Sequence, residues 1–407
     1  MSARRRLSLV LHTHMPYVEG FGTWPFGEEW LWEATATCYV PLLELLDRHP
    51  GRVTLSITPV LADQIEAPGV LERYHAFLDG VREASHALDL EAHPDVAAQL
   101  EWSRERYRRA HAADLLARFA RHATWTSSAT HAILPLLATE RGLRLQIETG
   151  LESHRRRFGE PAGFWLPECA HAPWVLPHVP LITCVETQGS NPRGSRVAAL
   201  DRELIDLVWA RDGYPSGGAY LNTRRFTERR HLAWSVAGEP YDPEAGRAQA
   251  RADAEDFAAR VPAGHSVVAV DTELLGHWWA EGIDWLEALL ETGLEIVPLT
   301  GGDADGAVPD LPISSWGRNQ DLSTWSGPAA QGLAWRARRA ELDLLAGPAE
   351  PSPRRLRELL ALQSSDWAFL VSEGTAGPYP LERFAGHERA LFAETDPALR
   401  NLAPFLS

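Results

Sequence analysis

The sequence predicts an α/β fold built on a parallel barrel, and three observations carry that prediction. Short apolar runs rich in β-branched residues recur through the chain before Gly301. Helical patterns lie between many of them, and polar residues gather at the C-terminal ends of the runs. At 407 residues the chain exceeds the usual single core, so one large domain with an attachment, or two domains, is expected.

In chain order, strands are expected at 7–11, 53–58, 124–130, 163–166, 181–185, 204–210, 266–270 and 295–299. Their runs are apolar throughout rather than alternating, as strands covered on both faces require. Helices are expected at 38–48, 136–158, 243–261 and 283–292, where apolar residues recur with helical spacing. Two stretches break the alternation. Residues 68–122 turn helical and highly charged, which reads as a helical insertion. After about Pro312 strand signals vanish, and Arg-, Leu- and Glu-rich helical patterns such as 353–362 take over. Residues 301–312, rich in Gly, Asp and Pro, read as a linker. The expected division is therefore a catalytic barrel over 1–300 and a helical domain over 312–407.

Composition narrows the function. Hydrophobic residues make up 45% and charged residues 23%, the balance of an ordinary globular protein. A formal net charge of −16 argues against nucleic-acid or anionic-membrane partners, which need a basic face, whereas a neutral polysaccharide is indifferent to it. All 39 basic residues are arginine, which excludes Schiff-base, P-loop and pyridoxal phosphate chemistry on lysine. Cys38, Cys169 and Cys184 are widely spaced, give no zinc pattern and no disulfide framework, and fit a reducing cytosol. The apolar stretch after Arg6 stops at His12, too short for a signal peptide, and no run approaches the roughly 18 apolar residues of a membrane span. Sixteen tryptophans stand out, and several fall inside polar motifs rather than apolar stripes.

The expected strand ends carry the chemistry. The first run leads into His12 and His14, the third into His131, the fourth into Pro167 and Glu168, the sixth ends around Trp209, and the seventh leads into Asp271 and Glu273. In barrels the active site is assembled at that end from several strands. Plainer readings exist for each motif. His12 and His14 would face one side of a strand, where they could bind metal, bind sugar or satisfy buried polar groups; no third metal ligand is evident. Glu168 alone could be a helix cap. The run from Asp271 through Glu273 and His277 to Trp278 and Trp279 makes a poor core strand and a poor solvated loop. Two carboxylates on separate strands, with clustered indoles to stack on sugar rings, suit glycosidic cleavage.

These residues resemble glycoside hydrolase family 57, in particular its 1,4-α-glucan branching enzyme subgroup. The likeness runs over most of the chain. It rests on His12-Thr13-His14-Met15-Pro16, Trp24-Pro25-Phe26-Gly27-Glu28, Ser128–His131, Gly163–Glu168, the segment from Trp209 to Pro215, Asp271–Trp279, Ser315-Trp316 and Ser365-Asp366-Trp367. The resemblance implies a distorted seven-stranded (β/α) TIM-like barrel with a helical insertion and a C-terminal helical domain, so one of the eight expected strands lies outside the barrel. It implies Glu168 as nucleophile and Asp271 as general acid/base. It further implies that His12, His14, His131 and His277, with Trp24, Trp209, Trp316, Trp325 and Asp366, line the cleft for an α-1,4-glucan, with no metal or organic cofactor.

One departure from the family pattern matters. Branching enzymes of this family carry a long loop with a tyrosine between the strand after the nucleophile and the Trp209 segment. Here that stretch is only 186–208 and contains no tyrosine. Without a lid to exclude water, hydrolysis is expected to dominate over transfer. The alternatives are genuine α-1,6 branching, a metal-dependent hydrolase or deacetylase using His12 and His14, and a non-catalytic glucan-binding protein.

Overall fold

The computed structural model describes residues 4–23, 26–186, 196–301, 311–347, 350–393 and 401–406. Its centre is a set of parallel strands: β1 (Arg5–Thr13), β2 (Thr54–Ile57), β3 (Ala123–Ser127), β4 (Gly163–Trp165), β5 (Thr183–Val185), β6 (Val197–Ala199), β7 (Gly264–Asp271) and β8 (Glu295–Ile296). Hydrogen bonds order the main sheet β4-β3-β2-β1-β7, and β5 pairs with β6. A parallel bridge from Gly163 to Ile182 joins the two sheets. Seven strands thus run β6-β5-β4-β3-β2-β1-β7. The ends of that order meet where the Asp201 N–H donates to Val267 O at 2.8 Å and Ser266 Oγ donates to Asp201 at 2.9 Å. The short β8 adds to the N-terminal end of β1 and lies off this path.

β1 shows why the barrel centre forms. Leu7 to Thr13 are all buried, and the strand is paired along most of its length by β7 on one side and by β2 near its C-terminal end on the other. Helices cover the outside. Glu140–Phe158 starts where the Thr139 hydroxyl accepts from Gly142 N, and Pro243–Arg260 starts with Asp242 as cap and proline in its first turn. Between β2 and β3 stand the helices Val70–Ala76, Glu83–Ala92, Ala97–Arg109 and Leu115–Ala120. Among the described residues no strand follows Ile296. The chain instead forms Gln331–Leu345, Pro353–Leu362, Ser365–Ser372 and Tyr379–Phe392, whose apolar core also takes in Phe21, Phe26 and Trp30. No helix among the described residues is long and apolar enough to cross a membrane.

One expected strand is a helix. Residues 204–210 fall in the helix Arg202–Trp209, with Leu204, Ile205 and Val208 buried at helical spacing. The deciding signal is Asp201, whose carboxylate accepts from Leu204 N and starts the turn, so the cap overrides a β-branched composition. The strand that completes the seven is β6, a three-residue piece just upstream that sequence periodicity is too short to reveal.

Tight packing inside the barrel generates a prediction. A Cβ at Gly163 in β4 would overlap the indole of fully buried Trp125 on β3. Gly163→Ala is expected to destabilise by about 1–3 kcal/mol. Gly293→Ala, where a Cβ meets open space, should stay within about 0.5 kcal/mol of the parent. Thermal unfolding of both variants checks this; equal melting points would contradict the close β3–β4 packing.

Candidate active site

The parallel register brings the histidines and carboxylates together. His12 on β1 is the direct partner of Asp271 on β7 and of Ser56 on β2. His12 Nε2 lies 3.0 Å from His131 Nε2, so one ring donates and the other accepts. Burial, with the neighbouring histidines adding, pushes both His12 and His131 well below the ordinary imidazole range, and both are neutral. His14 stacks on His131 with ring centroids 4.0 Å apart, while His12 stacks on Trp165 at 4.6 Å. The result is a rigid wall of flat rings.

Glu168 stands three residues beyond the end of β4, in a left-handed backbone conformation at φ 58° and ψ 24°. His131 shares that conformation at φ 58°. Neither is glycine, and non-glycine residues held there collect at functional sites. Both are propped from beyond residue 311. Trp316 N donates to Glu168 O at 3.0 Å, and the Trp316 indole donates to Glu168 Oε2 at 2.7 Å. Ser365 N donates to His131 O at 3.2 Å, and Ser365 Oγ lies 2.9 Å from His131 Nδ1. His14 Nε2 sits 2.9 Å from Asp366 Oδ1.

Three carboxyls share this region. Burial pushes Glu168 up to about 8, with the charge of Asp271 adding to the shift. Burial, then the charge of Glu273, pushes Asp271 up to about 7. Glu273 is raised to about 7 by burial, against the donors Tyr39 Oη at 2.6 Å and His14 N at 3.1 Å. Because Asp271 acts on Glu168 and Glu273 acts on Asp271, the three lose their protons as a coupled set rather than singly.

A cavity of about 700 Å³ lies over these groups, within the range of ordinary ligand sites. Of the residues singled out in the sequence, His14, His131, Glu168, Asp271 and Asp366 line it. Trp209, His277, Trp316 and Trp325 complete the wall, with His277 Nδ1 fixed 3.0 Å from Thr37 Oγ1. His12 lies behind, fully buried, and Trp24 falls outside the described residues. Trp209 reaches the cavity from the end of a helix, not of a strand. Trp30, Glu273 and Phe369 also line it and had no role assigned from sequence. Five tryptophans line the cavity: Trp325 is fully buried, while Trp30, Trp209, Trp278 and Trp316 are more exposed.

His14, His131 and Asp366 each offer a ligand atom within 4.8 Å of one another, a group that leaves out His12 of the expected His12–His14 pair. The donor set is already occupied, however. His14 Nε2 is engaged by Asp366, and the two ring nitrogens of His131 by His12 and Ser365. A metal ion there would have to break these hydrogen bonds.

Comparison with known proteins follows the same lines. Residues 8–180 match glycosyl hydrolase family 57, and residues 354–398 match the C-terminal region of 1,4-alpha-glucan branching enzymes. The 1,4-alpha-glucan branching enzyme of Thermococcus kodakarensis is 30% identical, the alignment covering 94% of this chain and 72% of the relative. A probable 1,4-alpha-glucan branching enzyme of Mycobacterium tuberculosis is 31% identical, covering 94% and 90%. The crystal structure of a GH57-type branching enzyme from Pyrococcus horikoshii superposes with a TM-score of 0.85 at 28% identity, over 94% of this chain and 88% of that one. With relatives of this identity aligned along nearly its whole length, the chain belongs to glycosyl hydrolase family 57.

Proposed function

We propose that the chain is a retaining enzyme that cleaves α-1,4-glucosidic bonds of an α-glucan through a glycosyl-enzyme intermediate, with Glu168 as nucleophile and Asp271 as acid/base. The single observation that carries this reading is the pairing of Glu168 with the Trp316 indole at 2.7 Å, with Asp271 lining the same cavity. Burial, with the charge of Asp271 adding, holds Glu168 slightly above Asp271 even with the Trp316 donor in place, the reverse of the order these roles need. Glu168 has a dedicated N–H donor that favours its anion, whereas Asp271 faces the charge of Glu273. The proposed roles place the shared proton on Asp271 and leave Glu168 as the anion.

In that state Asp271 protonates the leaving oxygen while Glu168 bonds to the anomeric carbon. Asp271, now ionised, takes a proton from the incoming water or sugar hydroxyl, and the product leaves with Glu168 restored as a carboxylate. Tryptophan faces stack on the sugar rings. The net charge of −16 is no obstacle to an uncharged glucan. Three unpaired, buried cysteines fit a cytosolic setting.

Hydrolysis is the outcome we favour, because the stretch 186–208 is short and has no tyrosine to serve as a lid; residues 187–195 of it lie outside the described residues. A second reading, transfer that makes α-1,6 branches, is favoured by the branching enzymes among its relatives. Under that reading Trp316, Trp325 and Phe369 would close the cleft in place of the lid.

Amylose incubated with the parent and with Glu168→Gln, with reducing ends and debranched chain lengths followed together, tests both. Reducing ends should rise with the parent and fall by at least about a thousandfold in the variant. New branch chains without reducing ends would sink the hydrolytic reading, and activity surviving in Glu168→Gln would sink the nucleophile. A chelator should leave the rate unchanged; loss restored by added zinc would instead favour the metal-dependent alternative.

The protonation scheme makes its own prediction. Activity needs one proton on the pair, so it falls at low pH as Glu168 gains a proton and at high pH as Asp271 loses one. The charge of Glu273 raises Asp271, so removing it lowers Asp271. Glu273→Gln is expected to move the alkaline limb of kcat/KM to lower pH. An unmoved limb, or one displaced upward, would contradict the scheme.

A further inference from the structure

A second cavity, of about 790 Å³, opens beside the first and shares Trp30, Trp209, His277 and Trp278 with it. Its far wall comes from two places that carry none of the family motifs. One is the helical region between β2 and β3, which contributes Arg82, Arg106 and Tyr107; the other is the segment 221–236, which contributes Arg224, Phe226 and Arg230.

This wall is built rather than incidental. The segment folds back on itself through antiparallel bridges from Leu221 to Ser235 and from Trp234 to Pro240. Leu221 N donates to Glu281 at 2.9 Å, and Thr223 Oγ1 donates to the Trp278 carbonyl at 2.9 Å. Buried Asp89, on the helix Glu83–Ala92, accepts from Thr227 and from Arg229. Both edges of the cavity are therefore tied to each other and to the loop after Asp271.

Its lining is that of a site for rings bearing hydroxyls. Trp278, Trp209 and Phe226 are 48%, 44% and 41% exposed, and so leave three large aromatic faces in water around one hollow. The arginines do not make a plain anion site. Arg82 is ion-paired with Glu33, Arg230 lies 4.6 Å over the Phe226 ring, and Glu29 joins Glu33 in the lining. Guanidinium donors, carboxylate acceptors and aromatic faces together match an uncharged sugar chain.

Position decides which part of the chain. Glu168 and its partner Trp316 line only the first cavity, whereas the shared wall of His277 and Trp278 belongs to the loop that Asp271 opens. The acid/base stands on the leaving-group side of the bond that breaks. We infer that the second cavity holds the leaving-group portion of a long α-glucan several units from the cleavage point, and later the acceptor chain where transfer occurs. This rests on the glucan reading of the first cavity and makes the enzyme selective for long chains.

Calorimetric titration in the inactive Glu168→Gln background separates the two readings. Maltoheptaose is long enough to enter both cavities and maltotriose only the first. Adding Phe226→Ala, or separately Arg224→Ala at another exposed position of the same wall, is expected to weaken maltoheptaose about tenfold. Maltotriose should stay within about twofold of the Glu168→Gln parent. Unchanged maltoheptaose affinity in both variants would overturn the inference, as would an equal loss for both ligands, which a merely structural role would give. Failure of either sugar to bind the Glu168→Gln parent would bring down the glucan reading itself, and this inference with it.

Discussion

The site depends on the hold that residues beyond 311 exert on two strained residues of the barrel. Glu168 and His131 are both left-handed, and each such residue costs on the order of 1–3 kcal/mol unless its surroundings over-determine it. Trp316 grips Glu168 twice, by backbone and by indole, and Ser365 grips His131 twice, by backbone and by hydroxyl. Asp366 does the same for His14 through a single 2.9 Å contact. The strand ends supply the side chains, and the loop at Trp316 and the helix Ser365–Ser372 hold them. A barrel without that loop and helix would keep its carboxylates but leave the turns at 131 and 168 free to relax.

Electrostatics follows from the same enclosure. Burial against stacked rings and tryptophans makes full ionisation of Glu168, Asp271 and Glu273 together expensive. Neutral histidines do not relieve this, since burial has removed their charge as well. Only hydrogen bonds distinguish the carboxyls: an indole for Glu168, a phenol and a backbone N–H for Glu273. Two carboxyls supplied with donors and a third facing a charge are an arrangement in which acid and base can coexist near neutral pH.

Much of this was legible in the sequence, for a local reason. A strand that ends in a polar residue delivers that residue to the rim, so His12, His131, Glu168 and Asp271 could be read one segment at a time. Segments 7–11 and 266–270 announced β1 and β7 because both are long and apolar. Residues 204–210 misled because a β-branched run counts for less than the Asp201 cap, and β6 was too short to show any period. The contacts that hold the site were not legible at all. Tyr39 meets Glu273, Trp316 meets Glu168 and Asp366 meets His14 across separations of 234, 148 and 352 residues, and no spacing rule reaches that far. The second cavity escaped for the same reason, since Phe226 and Tyr107 belong to no motif and share a wall only after folding.

The most direct test of the central claim is to trap the covalent intermediate. An Asp271→Asn variant lacks the base for the second step, yet an α-maltosyl fluoride donor needs little acid help in the first. Incubation followed by peptide mass mapping should find the added sugar on the peptide containing Glu168, and no adduct when Glu168→Gln is combined with Asp271→Asn. A sugar attached elsewhere, or none under conditions where the fluoride is consumed, would contradict the assignment of Glu168 as the nucleophile.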